Sequence, residues 1–216
     1  ELIGINAGIV KTVTESVVKH SPEAIIIVVS NPLDVMTYQA YLTANLPHQR
    51  VMGMAGILDT ARYRSFLAME LDVSPKDTMA PLPRYTTVAG IPVTELLPMD
   101  RINAIVERTK KGGGEIVNLL GTSGWYAPGA SAAQMVEAIL KDSKRIFPAC
   151  AYLTGQYGLS DMYLGAPIKL GRNGVEEVIE LKLNEEELAL VHKSAEAVKS
   201  VTKVLETLKR YDLLKE

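Results

Sequence analysis

The stretch Gly56-Ile-Leu-Asp-Thr-Ala-Arg-Tyr-Arg64 follows a short apolar run, Val-Met-Gly-Met at 51–54, and opens an apolar-periodic segment that continues to Leu71. The run reads as a strand and the segment as a helix. A strand end feeding a helix start is where α/β proteins place their chemistry. Asp59 and Arg62, three residues apart, face the same way on that helix. Pairs at this spacing are commonly local surface contacts worth a few tenths of a kcal/mol. Here Gly53, Ala55 and Gly56 let the backbone pass close to another group, which favours a functional reading.

On the N-terminal side, residues 2–19 set Ile3, Ile5, Ile9, Val13 and Val17 in one helical stripe. Residues 24–29, Ala-Ile-Ile-Ile-Val-Val, form a continuous and mostly β-branched run, as expected of a strand buried on both faces of a parallel sheet. Ser30-Asn31-Pro32 ends it and leaves the Asn31 amide at the strand's carboxyl end, either as a helix cap or as a ligand contact. Residues 34–44 read as a helix. Two helix–strand steps in about fifty residues indicate a doubly wound sheet.

On the C-terminal side, residues 86–93 are extended and turn-rich, and 100–120 keep helical phase at Ile102, Ile105, Thr109, Gly113, Ile116 and Leu120. The run Gly112-Gly-Gly114 inside that helix should weaken it by about 1 kcal/mol per glycine, which predicts a kink or hinge. It is no phosphate loop, since it lacks the spaced glycines, a preceding apolar strand and a following Lys-Ser/Thr. A helix at 130–140 precedes strands at 145–153 and 162–170. Gly171-Arg-Asn-Gly174 is a hairpin signal before a strand at 175–183. Asn184 with Glu187 three residues on starts a long terminal helix. Its stripe of Leu188, Val191, Ala195, Val198, Val201, Leu205 and Leu208 is core or subunit contact. The fold expected is α/β. The C-terminal part of a doubly wound, Rossmann-type parallel sheet comes first, then an α+β domain with antiparallel strands and the terminal helix, with the boundary between 54 and 55.

With 216 residues, 47% hydrophobic content and a net charge of -2, the chain can bury a real core and has no bias toward nucleic acid or an anionic membrane. Cys150 is the single cysteine, so one chain holds no disulfide framework, and a reducing, cytoplasmic setting is the simpler expectation. No apolar run reaches membrane-spanning length. His20, His48 and His192 have no partners at catalytic or metal-ligand spacing, so no metal is expected. The chain opens at Glu1 without an initiator Met, which suggests the later part of a longer polypeptide.

The 56–64 stretch resembles the signature of the lactate/malate dehydrogenase family, in which the helical Asp orients a catalytic His and the Arg clamps the substrate carboxylate. Residue types suit that chemistry, because a guanidinium offers a planar fork to a carboxylate and a carboxylate stabilises an imidazolium. Val-Ser-Asn-Pro-Leu-Asp-Val-Met-Thr-Tyr at 29–38 resembles the family segment whose Asn bonds the substrate oxygen and whose preceding backbone lines the nicotinamide pocket. The resemblance therefore implies cofactor contacts at Val29, Ser30 and Asn31, and also at Asn6, since 2–10 resembles the helix after the family's mobile loop. Gly124 matches a position facing the substrate, where lactate enzymes carry a larger Thr, and Pro128 matches one that packs against the nicotinamide ring.

By this resemblance, residues 1–54 are the remainder of an NAD-binding domain and 55–216 a substrate and catalytic domain. The activity implied is reversible hydride transfer between NAD and the malate/oxaloacetate pair, with Arg62, Asn31 and Gly124 binding substrate and Asp59 positioning a His. Homo-oligomers, dimers or tetramers, are implied as well. L-lactate dehydrogenase is the alternative within the family, and a non-catalytic, truncated structural or regulatory subunit the alternative outside it. Two family pieces have no match: the Gly-x-Gly-x-x-Gly turn with its ribose-binding acid, which leaves NAD against NADP open, and the Gly-Gly-His-Gly loop. Ser74-Pro75-Lys76 stands where that loop belongs, ahead of a match at 77–85 to its exit. An interruption of the chain between Lys76 and Thr78 is accordingly expected.

Overall fold

Helix α1 (Leu2–His20) leads into strand β1 (Ile26–Val28), helix α2 (Leu33–Ala44) and strand β2 (Val51–Gly53). β1 and β2 pair in parallel, Ile26 opposite Val51 and Val28 opposite Gly53, with α2 as the crossover. The 24–29 run thus yields a strand of three residues at the edge of its sheet, not one buried on both faces. Its partner sets the limit, because β2 also offers only three residues and Val29 beyond the pairing is exposed. The other elements in order are α3 (Ile57–Leu71), β3 (Thr78–Met79), β4 (Thr87–Val88), β5 (Ile91–Pro92), α4 (Val93–Leu96), α5 (Met99–Leu120), α6 (Tyr126–Leu140), β6 (Arg145–Thr154), β7 (Ser160–Gly171), β8 (Gly174–Val178) and α7 (Glu185–Arg210).

This computed structural model describes residues 2–79 and 83–210. Packing divides the chain into Glu1–Ala55 with Ala132–Glu216, and Gly56–Ser131. In the first unit the sheet runs β1-β2-β6-β7-β8. β2 meets β6 antiparallel at a single residue pair, Gly53 with Cys150. β6 and β7 then pair along their length, from Arg145 opposite Leu170 to Thr154 opposite Ser160. The hairpin to β8 turns at Gly174, which has φ +94 and whose Cβ, if present, would run into the Gln49 carbonyl oxygen. β8 stops at Val178, short of the expected 183. The backbone beyond turns to other partners: Leu181 N–H donates to the Tyr157 hydroxyl at 3.0 Å, and Glu180 accepts from Tyr157 N–H at 2.7 Å.

Ala7 and Val10 of α1, Val35, Met36 and Ala40 of α2, and Val51, Cys150, Tyr163 and Leu205 form one buried cluster. The Tyr163 hydroxyl donates to the Val51 carbonyl at 3.2 Å, while the rings of Tyr152, Tyr41 and Tyr38 surround it at 5.4, 5.7 and 6.4 Å. A second cluster packs Leu188, Val191, Ala195 and Val198 of α7 on Leu153, Leu159, Met162 and Leu164. The described part of the α7 stripe is therefore core, each fully buried Leu or Val contributing about 1.5–3 kcal/mol; the Leu208 side chain lies outside the described residues. Asn184 and Glu187 form the expected reciprocal cap, Glu187 N–H donating to Asn184 Oδ1 at 2.8 Å and Asn184 N–H to Glu187 Oε2 at 3.0 Å. On α1 the stripe beyond Ile3, which packs on the core, points away from it. Ala7, Val10 and Thr14 are the buried face, whereas Ile9 and Val13 remain 55% and 56% exposed.

In the second unit Tyr63 and Leu67 of α3 pack with Val93 of α4 and with Ile102 and Ile105 of α5. Along the same seam, Arg101 donates from Nε to Glu70 Oε1 at 2.8 Å and from Nη2 to Oε2 at 2.7 Å, and the Arg108 guanidinium covers the Phe66 ring at 4.1 Å. α5 continues through Gly112-Gly-Gly114 as one helix, and packing on α3 offsets the weak propensity of the glycines. Strands β3, β4 and β5 make a small antiparallel sheet. The chain passes directly from a 3₁₀ turn, Pro75–Asp77, into β3. The interruption expected there is not seen: β3 follows the turn directly, and Thr78 pairs with Val88 and Met79 with Thr87. Residues 80–82, within the stretch read as the exit of a catalytic loop, lie outside the described residues.

Asn184→Ala removes a cap and leaves helix amides unpaired, so unfolding free energy should fall by about 0.5–2 kcal/mol. An unchanged midpoint in urea would contradict this. A second expectation concerns Asp34, whose carboxyl is pushed above the usual carboxylate range by burial, against an opposing hydrogen bond from the Cys150 thiol. A carboxyl raised in the folded state stabilises fully below its unfolded value of about 3.9 and loses that contribution as pH rises through the folded value. Asp34→Asn should therefore gain stability relative to the wild type on going from pH ~4 upward. Thermal melts across that range test it, and a pH-independent difference would refute it.

Candidate substrate-binding site

In the second unit, Gly56 at φ +70 turns the chain into α3 and sets Asp59 in the first turn, where an acid suits the helix dipole. Arg62 stands one turn further on, and its Nη1 donates to Asp59 Oδ1 at 2.8 Å. The two differ in setting. Asp59 is 59% exposed and Arg62 only 19%, with Arg62 Nε buried and without a hydrogen-bond partner among the described residues. The Arg62 stem runs against α5 at Gly112. Gly124 is half-buried after α5, where a Cβ would stand 3.0 Å from Ile116 Cγ2. Pro128 falls in the first turn of α6, where its missing N–H costs no helix bond.

In the first unit, the Asn31 side chain does not cap α2. That helix starts after Pro32 with no side-chain cap bond, and the Asn31 amide makes no hydrogen bond among the described residues. Its carbonyl accepts from Asn6 Nδ2 at 2.7 Å, which ties α1 to the turn after β1. Val29 and Ser30 are exposed beside it. The three histidines also belong to this unit: His20 ends α1, His48 packs on Tyr152 with ring centroids 5.2 Å apart, and His192 Nε2 lies 2.8 Å from the Tyr157 carbonyl. Among the described residues no group of His, Cys, Asp and Glu is arranged to hold a metal ion.

Two pairs are thus brought together, Asp59 with Arg62 and Asn6 with Asn31. Two features escaped the sequence. The Asn6 bond joins residues 25 apart and leaves no local signal, and the glycine run marks α5 as unusual without showing that Arg62 approaches it. Chemically, the second unit offers a guanidinium fork held on one edge, suited to a carboxylate. The first offers a neutral amide donor at the end of a parallel strand.

Known proteins that this chain matches point to one family. Residues 1–53 match the lactate/malate dehydrogenase NAD binding domain, and 57–208 the lactate/malate dehydrogenase alpha/beta C-terminal domain. A malate dehydrogenase of Cytophaga hutchinsonii is 64% identical over 96% of this chain and 70% of its own length. That alignment runs over 219 residues, so the relative carries residues inside the matched span that have no counterpart here. The crystal structure of malate dehydrogenase from Salinibacter ruber superimposes with a TM-score of 0.93 at 56% identity, covering 95% of this chain and 71% of that one. Malate dehydrogenase from Plasmodium falciparum in complex with NADH matches at 0.91 and 37% identity over 100% of this chain and 74% of that one. No helix among the described residues is long and apolar enough to cross a membrane. Agreement of both domain matches with the fold and with the 56–64 signature leaves one conclusion: the chain belongs to the lactate/malate dehydrogenase family, whose members are NAD-dependent 2-hydroxy acid oxidoreductases.

Proposed function

We propose that this chain is the larger part of an NAD-dependent malate dehydrogenase, with Arg62 binding a substrate carboxylate and Asn31 the reacting oxygen. The observation that carries the proposal is the Arg62 side chain, largely buried, with Nη1 on Asp59 and Nε unpaired among the described residues. Residues present also suit the nicotinamide end of NAD: Val29 offers an apolar side chain, 43% exposed, beside the Asn31 amide at the carboxyl end of β1. Open α/β sheets receive ligands at such strand ends. We assign cofactor contacts to Asn6, Ser30 and Pro128 as well, with Asn6 fixing the Asn31 carbonyl from α1. No Gly-x-Gly-x-x-Gly occurs among the 216 residues, so the pyrophosphate end has no match in this chain. NAD, when bound, accepts or donates the hydride.

In this reading the Arg62 fork fixes the carboxylate, and the Asn31 amide donates to the oxygen that changes between hydroxyl and carbonyl. Asp59 Oδ1 is taken by Arg62, which leaves Oδ2, on an exposed side chain, to orient an imidazole. That imidazole is not among this chain's three histidines, which sit in the other unit in the settings described above. The small residue Gly124 supports malate over lactate. The exposed α1 stripe supports a homo-oligomer, dimer or tetramer, and the single buried Cys150 a cytoplasmic setting. A second reading, a non-catalytic structural or regulatory subunit, is favoured by the direct passage from Pro75–Asp77 to Thr78 without a His.

Oxaloacetate-dependent oxidation of NADH separates the two. Turnover by a polypeptide carrying this chain supports the enzyme; binding of oxalate without turnover supports the second reading. With turnover in hand, Arg62→Lys keeps the charge and loses the fork, so kcat/KM should fall by about 2–5 kcal/mol of transition-state binding. An unchanged value would return Arg62 to a surface pair with Asp59. Gly124→Thr should harm oxaloacetate reduction more than pyruvate reduction, because added volume penalises the larger substrate. Thr also meets Ile116, so some loss on both substrates is expected, and equal losses would remove Gly124 from the specificity site.

A further inference from the structure

The three glycines of α5 are not equivalent. A Cβ at Gly112 would stand 2.9 Å from Arg62 Cδ, 3.3 Å from Nε and 3.8 Å from Cζ; at Gly113 it would stand 3.8 and 3.9 Å from the two Nη atoms; at Gly114 it would meet nothing within 4 Å. The first of these separations is closer than real side chains approach one another, the second pair is ordinary contact, and the third site is open. α3 cannot easily move away to make room, since Arg101 with Glu70, Arg108 over Phe66, and the apolar contacts of Tyr63 and Leu67 fix its register against α5. Asp59 holds the guanidinium from its own helix at 2.8 Å.

We propose that Gly112 is a positioning residue for Arg62: the absent side chain forms a seat in α5 that receives the Arg62 stem and, with Asp59, sets the direction of the guanidinium fork. The consequence for carboxylate binding rests on the function proposed above; the seat itself does not. A glycine inside a helix costs about 1 kcal/mol relative to Ala, and close approach of another side chain is the compensation available at 112 but not at 114. Arg62 Nε, buried without a partner among the described residues, faces this seat. A seat needs only the one glycine that the arginine touches.

The test is a comparison of Gly112→Ala and Gly114→Ala, each in the wild type and in an Arg62→Ala background, in the full chain. Gly114→Ala should raise the thermal midpoint in both backgrounds by about 2–4 °C, as helix propensity dictates. Gly112→Ala should lower it in the wild type and raise it once Arg62 is removed. Calorimetric titration with oxalate in the presence of NADH supplies a second readout, in which Gly112→Ala should weaken binding at least about tenfold and Gly114→Ala should leave it unchanged. Equal behaviour of the two glycine variants in the melts would overturn the seat. A sign reversal with unchanged oxalate affinity would overturn its positioning role. If oxalate binds neither the wild type nor Arg62→Lys while the reversal is present, the seat stands and the carboxylate role of Arg62 falls.

Discussion

The first unit depends on one crowded junction. Its parallel pair, β1 and β2, joins the antiparallel strands through a single residue pair, Gly53 with Cys150. A Cβ at Gly53 would lie 2.7 Å from Thr37 Oγ1 of α2 and 2.8 Å from Cys150 Cβ, so helix and sheet meet there with no spare volume. The Tyr163 hydroxyl on the Val51 carbonyl fastens the same joint from β7. Because β1 pairs within this sheet through β2 alone and packs by Val28 into the same buried cluster, the position of Asn31 after it depends on this contact. The Asn6 bond then fixes the backbone of that residue locally.

Much of this was legible in local sequence, and the exceptions have a common cause. The helix of the 56–64 stretch, the Gly174 hairpin and the reciprocal Asn184–Glu187 cap are set by neighbours within a few residues, and each occurs where its residues predict. The α1 stripe, the length of β1 and the role of Gly112 are set by partners distant in the chain. Periodicity shows that Ile5, Ile9, Val13 and Val17 share a face but not whether anything covers it. A β-branched run marks apolar backbone, while pairing with three-residue β2 decides where the strand stops. Glycine propensity predicts a weak helix, and only the packing of α3 shows why α5 tolerates it.

For the site, residue types were legible and relations were not. Asp59 and Arg62 could be placed on one helix face by spacing alone, yet nothing in the sequence distinguished an exposed carboxylate from a largely buried guanidinium. That asymmetry is the chemically important fact. A surface pair would expose both partners, whereas a fork withdrawn from water gains strength toward a carboxylate and discriminates against a point charge such as Lys. The Asn31 amide shows the converse. The residues alone favoured a cap and the family resemblance a ligand contact, and the start of α2 at Leu33 without a side-chain cap removes the first.

The unequal strand lengths of the first sheet grade its local stability. β6 and β7 share a ladder of ten and twelve residues covered by α7, so their amides open to solvent only with the unit as a whole. β1 pairs with β2 over three residues, so it shares far fewer ladder bonds than β6 and β7. Asn31, whose backbone is tied to α1 by the Asn6 bond, thus follows a short parallel pair, while Tyr163 stands in the long ladder that carries most of the sheet's pairing.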